Sequence, residues 1–317
     1  MEGGPFISIC IPAYQRTAFL GRLLDSIEIQ TYRQFEVIIT DDSPGTELQE
    51  LVANHRLMPM IRYFKNQKTL GTPENWNEGL RKTGGDWIKI MHDDDWFSGP
   101  DSLLYFAEAV EKGGTGFYFS FYSNVYPDGH SKSIRLNFRQ LKSLQSLPES
   151  LFASNRIGPP SVVVFKKDSD LFFDKRLKWL VDIDFYIRYL KKHGPPAYIP
   201  KNLVQIGISE SQVTRSSFGQ PEIEIPERFM LGEKLDKIDN TQLTIFDAWW
   251  RFLRNLSIKD VSQIKNAGYS GKIPDFIPSI IISQQKIPAF LLNTGLFSKT
   301  FMFILYLKLR KSRKLKA

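Results

Sequence analysis

Over the first 120 residues, short apolar runs alternate with stretches whose apolar residues recur every three or four positions. Phe6–Ile11 is an apolar run ended by Pro12, and Leu20, Leu23, Leu24 and Ile27 follow at helical spacing. Phe35–Thr40 is a second run, stopped by Asp41-Asp42-Ser43-Pro44-Gly45, with a helix expected over Glu47–His55. Met60–Phe64 reads as a third strand, and Thr72-Pro73-Glu74 as a helix start with Thr72 as its cap. That helix ends at Gly84-Gly85, before a fourth strand over Trp87–Met91. Pro100–Lys112 is expected as a helix and Phe117–Tyr122 as a further strand. Strands apolar throughout, separated by helices, predict a mostly parallel sheet covered on both faces.

In such sheets ligands lie beyond the carboxyl ends of the strands, so the residues just after each strand carry the information. After the first strand come Pro12-Ala13-Tyr14-Gln15-Arg16, after the second Asp41-Asp42-Ser43, and after the fourth His92-Asp93-Asp94-Asp95. Three consecutive carboxylates following a buried strand are costly unless something positive neutralises them. Mg²⁺ or Mn²⁺ would do so, and Mg²⁺ commonly combines one or two carboxylates with substrate phosphates. The cluster therefore points to a phosphate-bearing ligand. An acidic turn capping the next helix is the alternative, and Asp-Ser-Pro-Gly after Asp41 is also ordinary turn chemistry.

Residues 123–160 read as loop-rich, Ser161–Phe165 as a strand, Trp179–Lys192 as a helix and Ala197–Ile199 as a short strand. Within that helix Asp184 has Arg188 four residues on and is expected on a solvated, ion-paired face. Asp182 shares its side with Phe185, Tyr186 and Tyr189. A carboxylate on a largely apolar face at a cleft edge suits a general base, with a helix cap as the plainer reading. Beyond about residue 220 the pattern turns helical, which divides the chain into a catalytic part over 1–220 and a helical part over 221–317.

These stretches in their order resemble the family 2 glycosyltransferases over about residues 6–200. Ser8–Arg16 resembles that family's first strand and nucleotide loop, and Phe35–Ser43 its second strand. Gly71, Asn75, Asn77, Gly79 and Gly84–Ile88 resemble the approach to its metal motif, with His92–Trp96 standing where its Asp-x-Asp motif stands. Asp182, six residues before Arg188, resembles its base motif. The resemblance implies a GT-A type α/β fold and inverting transfer from a UDP-, dTDP- or GDP-sugar to a saccharide or lipid-linked acceptor in surface-polysaccharide assembly. It implies that Pro12, Tyr14, Arg16, Asp42 and Asp93 border the nucleotide, and that Asp94 leads the metal set, with Asp93 or Asp95 assisting. Asp182 would deprotonate the acceptor hydroxyl. Trp96 is the candidate to stack on sugar, and Gly158–Ser161 resembles the acceptor-side segment. His92 departs from the family in occupying the place of the first acid, and Val181 in preceding the base. No histidine follows in 207–215, where Gln212 or Arg215 could take over contact with the diphosphate.

Charge and apolar pattern separate the C-terminus from the rest. Six of the net +8 charges lie in the last ten residues, at Lys308, Arg310, Lys311, Arg313, Lys314 and Lys316. The remainder is close to neutral, which disfavours nucleic acid as a partner. Residues 287–307 have the length of a membrane span but carry Lys299 near the middle, a cost of about 2.5–3.5 kcal/mol. A helix lying in the interface of the inner membrane is expected instead, with docking on the protein as the alternative. Met1–Pro5 lacks a basic region, Phe6–Ile11 is too short for a secretory core, and Cys10 is the single cysteine, so a cytoplasmic, reducing setting is expected. A sugar-phosphate nucleotidyltransferase would also use nucleotide and Mg²⁺, but needs a Gly-rich, Lys-bearing loop that Pro12–Thr17 does not provide. A non-catalytic carbohydrate- or membrane-binding relative would make the Asp triplet and Asp182 dispensable.

Overall fold

The structure, a computed structural model, describes residues 3–209, 219–235 and 242–314, with side chains to residue 311. The chain forms two compact units. The first comprises Met1–Pro148, Arg156–Leu177 and Val181–Gln212, and the second Glu149–Asn155, Lys178–Leu180 and Val213–Ala317.

The first unit opens with β1 (Ile7–Ala13), α1 (Thr17–Glu28), β2 (Phe35–Asp41), α2 (Glu47–Ala53), β3 (Ile61–Lys65), α3 (Glu74–Lys82) and β4 (Trp87–Ile90). It continues through β5 (Trp96–Phe97), α4 (Ser102–Lys112), β6 (Phe117–Val125), β7 (Ser131–Ile134) and α5 (Phe138–Ser146). It ends with β8 (Val163–Lys166), α6 (Val181–His193) and β9 (Ala197–Gly207). Among the described residues these strands form one sheet in the order β3-β2-β1-β4-β8-β6-β9-β5, with β7 added on β6.

β1 pairs in parallel with β2 and β4, and β2 with β3. This is the parallel arrangement expected from the strand–helix alternation. β1 is apolar because both faces are covered: Ile7, Ile9 and Ile11 are fully buried, as are Leu20, Leu23, Leu24 and Ile27 of α1. Each such side chain contributes about 1.5–3 kcal/mol relative to exposure. The other half of the sheet is mixed. β8 runs antiparallel to β4 and β6, β5 antiparallel to β9, and β9 parallel to β6.

Three local expectations change. α3 starts after Pro73, and no side chain, that of Thr72 included, caps it. The stretch read as loop contains α5, closed at its start by a capping box in which Asn137 and Gln140 satisfy each other's backbone N–H groups. Ser161 does not begin a strand. It lies in a turn of 3₁₀ helix over Pro160–Val162, and β8 follows.

The second unit contains α7 (Pro221–Lys234), α8 (Leu243–Asn255), α9 (Val261–Asn266), α10 (Phe276–Gln285), α11 (Ala289–Leu292) and α12 (Gly295–Lys314). Its core gathers Trp249, Phe229, Phe152, Phe246 and Phe276, rings that meet at 4.7–6.4 Å between centroids. One side of α12 packs there. Met302 and Tyr306 are buried, the Tyr306 ring lies 5.6 Å from Phe246, and Trp250 Nε1 donates to Ser298 Oγ at 3.0 Å.

Candidate active site

β1 leads through α1 to β2 on one side, whereas β4 lies on its other side. The strand order therefore reverses between β1 and β4, and in α/β sheets ligands lie beyond the carboxyl ends of the strands at such a switch point. The loop after β1 carries Tyr14 and Arg16, and the loop after β4 carries His92–Asp95.

These two loops are joined by charge. Arg16 Nη1 donates to Asp94 Oδ2 at 3.0 Å, Arg16 Nε to Asp93 Oδ2 at 3.2 Å, and Arg16 Nη2 also bonds Asp93 Oδ1. The Tyr14 N–H points at Asp93 Oδ2 at 3.4 Å. Gln15 between them has φ 59°, and its N–H donates to Ser43 Oγ at 2.8 Å, which ties the loop to the end of β2. The left-handed backbone at Gln15 turns the chain so that Tyr14 stays half-exposed while Arg16 reaches inward.

The acid triplet is buried: Asp93, Asp94 and Asp95 are 2%, 7% and 2% exposed. Burial raises the Asp93 carboxyl pKa to about 6, against the pull of Arg16 and with a further push from Asp94. Burial, then the neighbouring Asp94 carboxylate, raises Asp95 well above its usual range. Asp95 Oδ1 accepts the Gly207 N–H at 3.2 Å. Burial lowers the His92 imidazole to about 4, so the ring is neutral near pH 7. His92 Nε2 is buried without a hydrogen-bond partner among the described residues, and the ring lies 4.7 Å from that of Trp76.

His92, Asp94 and Asp95 each offer a ligand atom, and these atoms lie within 4.8 Å of one another. Two carboxylates and a neutral imidazole fit a divalent cation such as Mn²⁺ or Mg²⁺, and the His92 Nδ1 lies 3.9 Å from Asp95 Oδ2. Asp94 and Asp95 were the sequence candidates. His92, which the sequence marks only as a departure from the family motif, stands with them in the same group.

Asp182 lies in the first turn of α6, beyond the capping position. Tyr186, one turn on, is fully buried and donates to the Gly158 carbonyl at 3.2 Å. The Tyr122 phenol on β6 is pushed up to about 12 by burial, then by the charges of Asp182 and of Asp95. One side chain is thus within electrostatic reach of both the candidate base and the acid cluster. Gly158, at φ +109°, leaves space for that ring: a Cβ there would stand 2.5 Å from Tyr122 Cε1. Nothing in the pattern of Phe117–Val125 singles out Tyr122 beforehand.

The other candidate residues have partners of their own. Asp42 is buried, and its carboxylate accepts the N–H groups of Leu70 and Gly71 at 2.7–3.0 Å and Asn66 Nδ2 at 2.8 Å. It therefore shapes the 66–71 loop. Pro12, half-buried, pairs in register with Thr40 at the end of β1. Trp96 belongs to β5, and one face of its indole is covered by the Arg22 guanidinium, 3.6 Å from the ring centroid. Arg22 also donates to the Asp94 carbonyl at 2.7 Å. Ser161, expected on the acceptor side, is fully buried behind the acid cluster, where its Oγ accepts the His92 N–H at 2.9 Å. Asp184 is not on a solvated face. It is fully buried and paired with Arg188 at 2.7 Å, because Arg188 also reaches the Phe172 carbonyl and draws that segment over the helix. Gln212 and Arg215 lie outside the described residues.

An α/β sheet with an acid cluster at its switch point defines a GT-A type protein, and solved structures share the fold. Staphylococcus aureus TarS (residues 1–349, in complex with UDP-GlcNAc) aligns at TM-score 0.64 with 17% identity, covering 98% of this chain and 92% of that one. Mannosyltransferase PcManGT from Pyrobaculum calidifontis, in complex with GDP-Man and Mn²⁺, aligns at 0.58 with 13% identity, covering 97% and 87%. In sequence, the putative colanic acid biosynthesis glycosyl transferase WcaA of Escherichia coli K12 is 27% identical over 227 residues, 68% of this chain and 78% of its own. Residues 8–172 match the profile of glycosyl transferase family 2, and the chain belongs to that family.

Proposed function

We propose that this glycosyltransferase moves a sugar from a nucleoside-diphosphate sugar to an acceptor hydroxyl with inversion, in assembly of a surface polysaccharide, with Mn²⁺ or Mg²⁺ held by Asp94, Asp95 and His92. The observation that carries the reading is the buried acid cluster at the carboxyl ends of β1 and β4, with the Tyr122 phenol in the field of both Asp182 and Asp95. Pro12, Tyr14, Arg16 and Asp42 border the nucleotide, Asp42 also holding the 66–71 loop. Asp93 orients Arg16 through its paired hydrogen bonds. A divalent cation bound there supplies Lewis-acid stabilisation of charge on the departing diphosphate. Asp182 accepts the proton of the acceptor hydroxyl, and the hydroxyl oxygen attacks the anomeric carbon opposite the leaving diphosphate. Trp96, backed by Arg22, lines the donor side. The relatives support the class of donor: TarS is seen with UDP-GlcNAc and PcManGT with GDP-Man and Mn²⁺. WcaA, by its description, belongs to polysaccharide biosynthesis.

Thermal unfolding with UDP, GDP, dTDP or CMP, each with and without Mn²⁺, tests this. A ligand at 100 times its Kd stabilises the folded state by about 2.7 kcal/mol. One nucleoside diphosphate is expected to raise Tm by several degrees, and only with the metal. No shift with any of the four would count against a nucleotide-sugar enzyme.

A second observation favours a membrane-facing acceptor. No helix among the described residues is long and apolar enough to cross a membrane. α11 and α12 nevertheless expose Phe290, Leu296, Phe297, Phe303, Ile304 and Leu307, the first two at 71% and 76%. Lys299, Lys308, Arg310 and Lys311 are exposed on α12 as well. Apolar rings and aliphatic chains beside basic residues suit an anionic lipid surface, where each Lys or Arg adds about 1 kcal/mol. The second reading is therefore that the enzyme rests on the inner face of the plasma membrane and glycosylates a lipid-linked saccharide there. Sedimentation with phosphatidylglycerol vesicles is expected to pull the protein down at low salt, and phosphatidylcholine vesicles are not. Phe303→Ser with Ile304→Ser should weaken binding about tenfold or more. Equal sedimentation of this variant and the parent would remove the lipid-surface reading.

A further inference from the structure

β4 is a central strand, flanked by β1 and β8, and Ile88 and Ile90 are buried as such a strand requires. Between them stands Lys89, which is fully buried. An unpaired ammonium in an apolar interior costs several kcal/mol, so lysine is rarely placed there without a reason. Its Nζ donates to the Ser161 carbonyl, and the rings of Phe106 and Phe97 lie 4.8 and 5.7 Å away. Burial lowers its pKa well below that of a free lysine, and Asp95 is the carboxylate whose field opposes that shift.

Ser161 is the node of this arrangement. Its carbonyl accepts from Lys89, its Oγ accepts the His92 N–H at 2.9 Å, and its side chain hydrogen-bonds Asp95. The Asp95 carboxylate and the main chain of His92, two residues of the candidate cation group, therefore meet one fully buried serine, which is in turn anchored by one fully buried lysine. The Lys89 bond thus ties the turn over Pro160–Val162, which carries Ser161, to the middle of β4.

We propose that Lys89 is a positioning residue for the cation site: its hydrogen bond to the Ser161 carbonyl sets the placement of Ser161 Oγ, and through it the main-chain position of His92 and the orientation of the Asp95 carboxylate. The proposal rests on the reading of His92, Asp94 and Asp95 as the cation set. Residues that hold metal ligands from behind are commonly worth 10–100-fold in metal affinity.

The test is Mn²⁺ binding to the full chain in the absence of any sugar donor, read from the electron paramagnetic resonance signal of free Mn²⁺. Lys89→Met, which keeps the apolar stem as far as Cε but removes the donor, is expected to weaken Mn²⁺ about tenfold or more. Ser161→Ala should weaken it by a similar factor, and the double variant should be no worse than the weaker single one, because both act through one linkage. Lys89→Gln, which keeps a donor, should recover part of the loss. If Lys89→Met does not fold, Ser161→Ala, which removes only a hydroxyl, and Lys89→Gln carry the comparison. Unchanged Mn²⁺ affinity in a folded Lys89 variant, or losses that multiply in the double variant, would overturn the proposal while leaving the cation site standing. A parent protein that binds no Mn²⁺ would overturn the cation site itself, and the role of Lys89 with it.

Discussion

Asp94→Asn is expected to lower the rate of nucleoside-diphosphate release from the sugar donor by about 10³-fold, a change of about 4 kcal/mol in the barrier. The substitution preserves volume and removes one negative charge from the cluster at the carboxyl end of β4. Asp94 belongs to the group of three ligand atoms lying within 4.8 Å of one another, and it also receives Arg16 Nη1 at 3.0 Å. Arg16 keeps its two hydrogen bonds to Asp93 in the variant, so the join between the β1 and β4 loops survives and the melting temperature should barely move. The loss should therefore appear in turnover and in Mn²⁺-dependent nucleotide binding, with the fold intact. Initial rates measured across a Mn²⁺ titration separate the two ways of failing. A variant recovered by high Mn²⁺ has lost affinity for the ion, and one that saturates at a low rate has lost stabilisation of the leaving group. Activity within tenfold of the parent at ordinary Mn²⁺ would remove Asp94 from the centre of the site.

How far this site could be read beforehand depended on how local its signals are. β1 to β4 are short apolar runs, and the helices between them have unbroken apolar periods, so the parallel half of the sheet was legible. The clustering of Tyr14, Arg16 and His92–Asp95 followed from it, because residues after parallel strands share one rim. The mixed half was less legible. β9 runs from Ala197 to Gly207, but Pro200, Lys201 and Asn202 interrupt its apolar pattern, and its pairing with β6 shifts register at Ser120–Tyr122. Only its first three residues looked like a strand. β5 is two residues long and leaves no periodicity to detect. α5 buries only Leu144, so its apolar stripe is faint, although Asn137-x-x-Gln140 was a helix-start signal available in the sequence.

Side-chain partners are a different matter. The spacing of Asp184 and Arg188 predicted their ion pair but not their burial, which depends on the Phe172–Phe173 segment folding back over α6. Trp96 promised a free aromatic face, and Arg22, 74 residues earlier in the chain, covers one side of it. Lys89 is the one polar residue in the Trp87–Met91 run. Its meaning lies in Ser161, 72 residues away, a distance across which no sequence period operates. In each case the missing information was a long-range contact whose members carry no mark in their own neighbourhoods.

Asp182→Asn is the second large effect expected, and it should have the opposite signature to Asp94→Asn. Removing a general base commonly costs 10²–10⁴-fold, so transfer to the acceptor should fall by about 10³-fold. Nucleotide and Mn²⁺ binding should be unchanged, because Asp182 is on α6 and no ligand atom of the His92–Asp94–Asp95 group comes from it. The amide keeps the size and the hydrogen-bonding reach of the carboxylate but cannot take a proton, so the helix should retain its first turn. Tyr122 supplies an internal check. Its phenol is held up to about 12 by burial, with Asp182 the larger of the two carboxylate contributions. Neutralising Asp182 should lower the pH at which that phenol ionises, measurable as a shift in the tyrosinate absorbance against a Tyr122→Phe control. A folded Asp182→Asn enzyme with near-parental transfer would show that the acceptor proton leaves by another route. Lost transfer with parental nucleotide affinity and a displaced Tyr122 titration would place the base in α6, facing the acid cluster across one tyrosine.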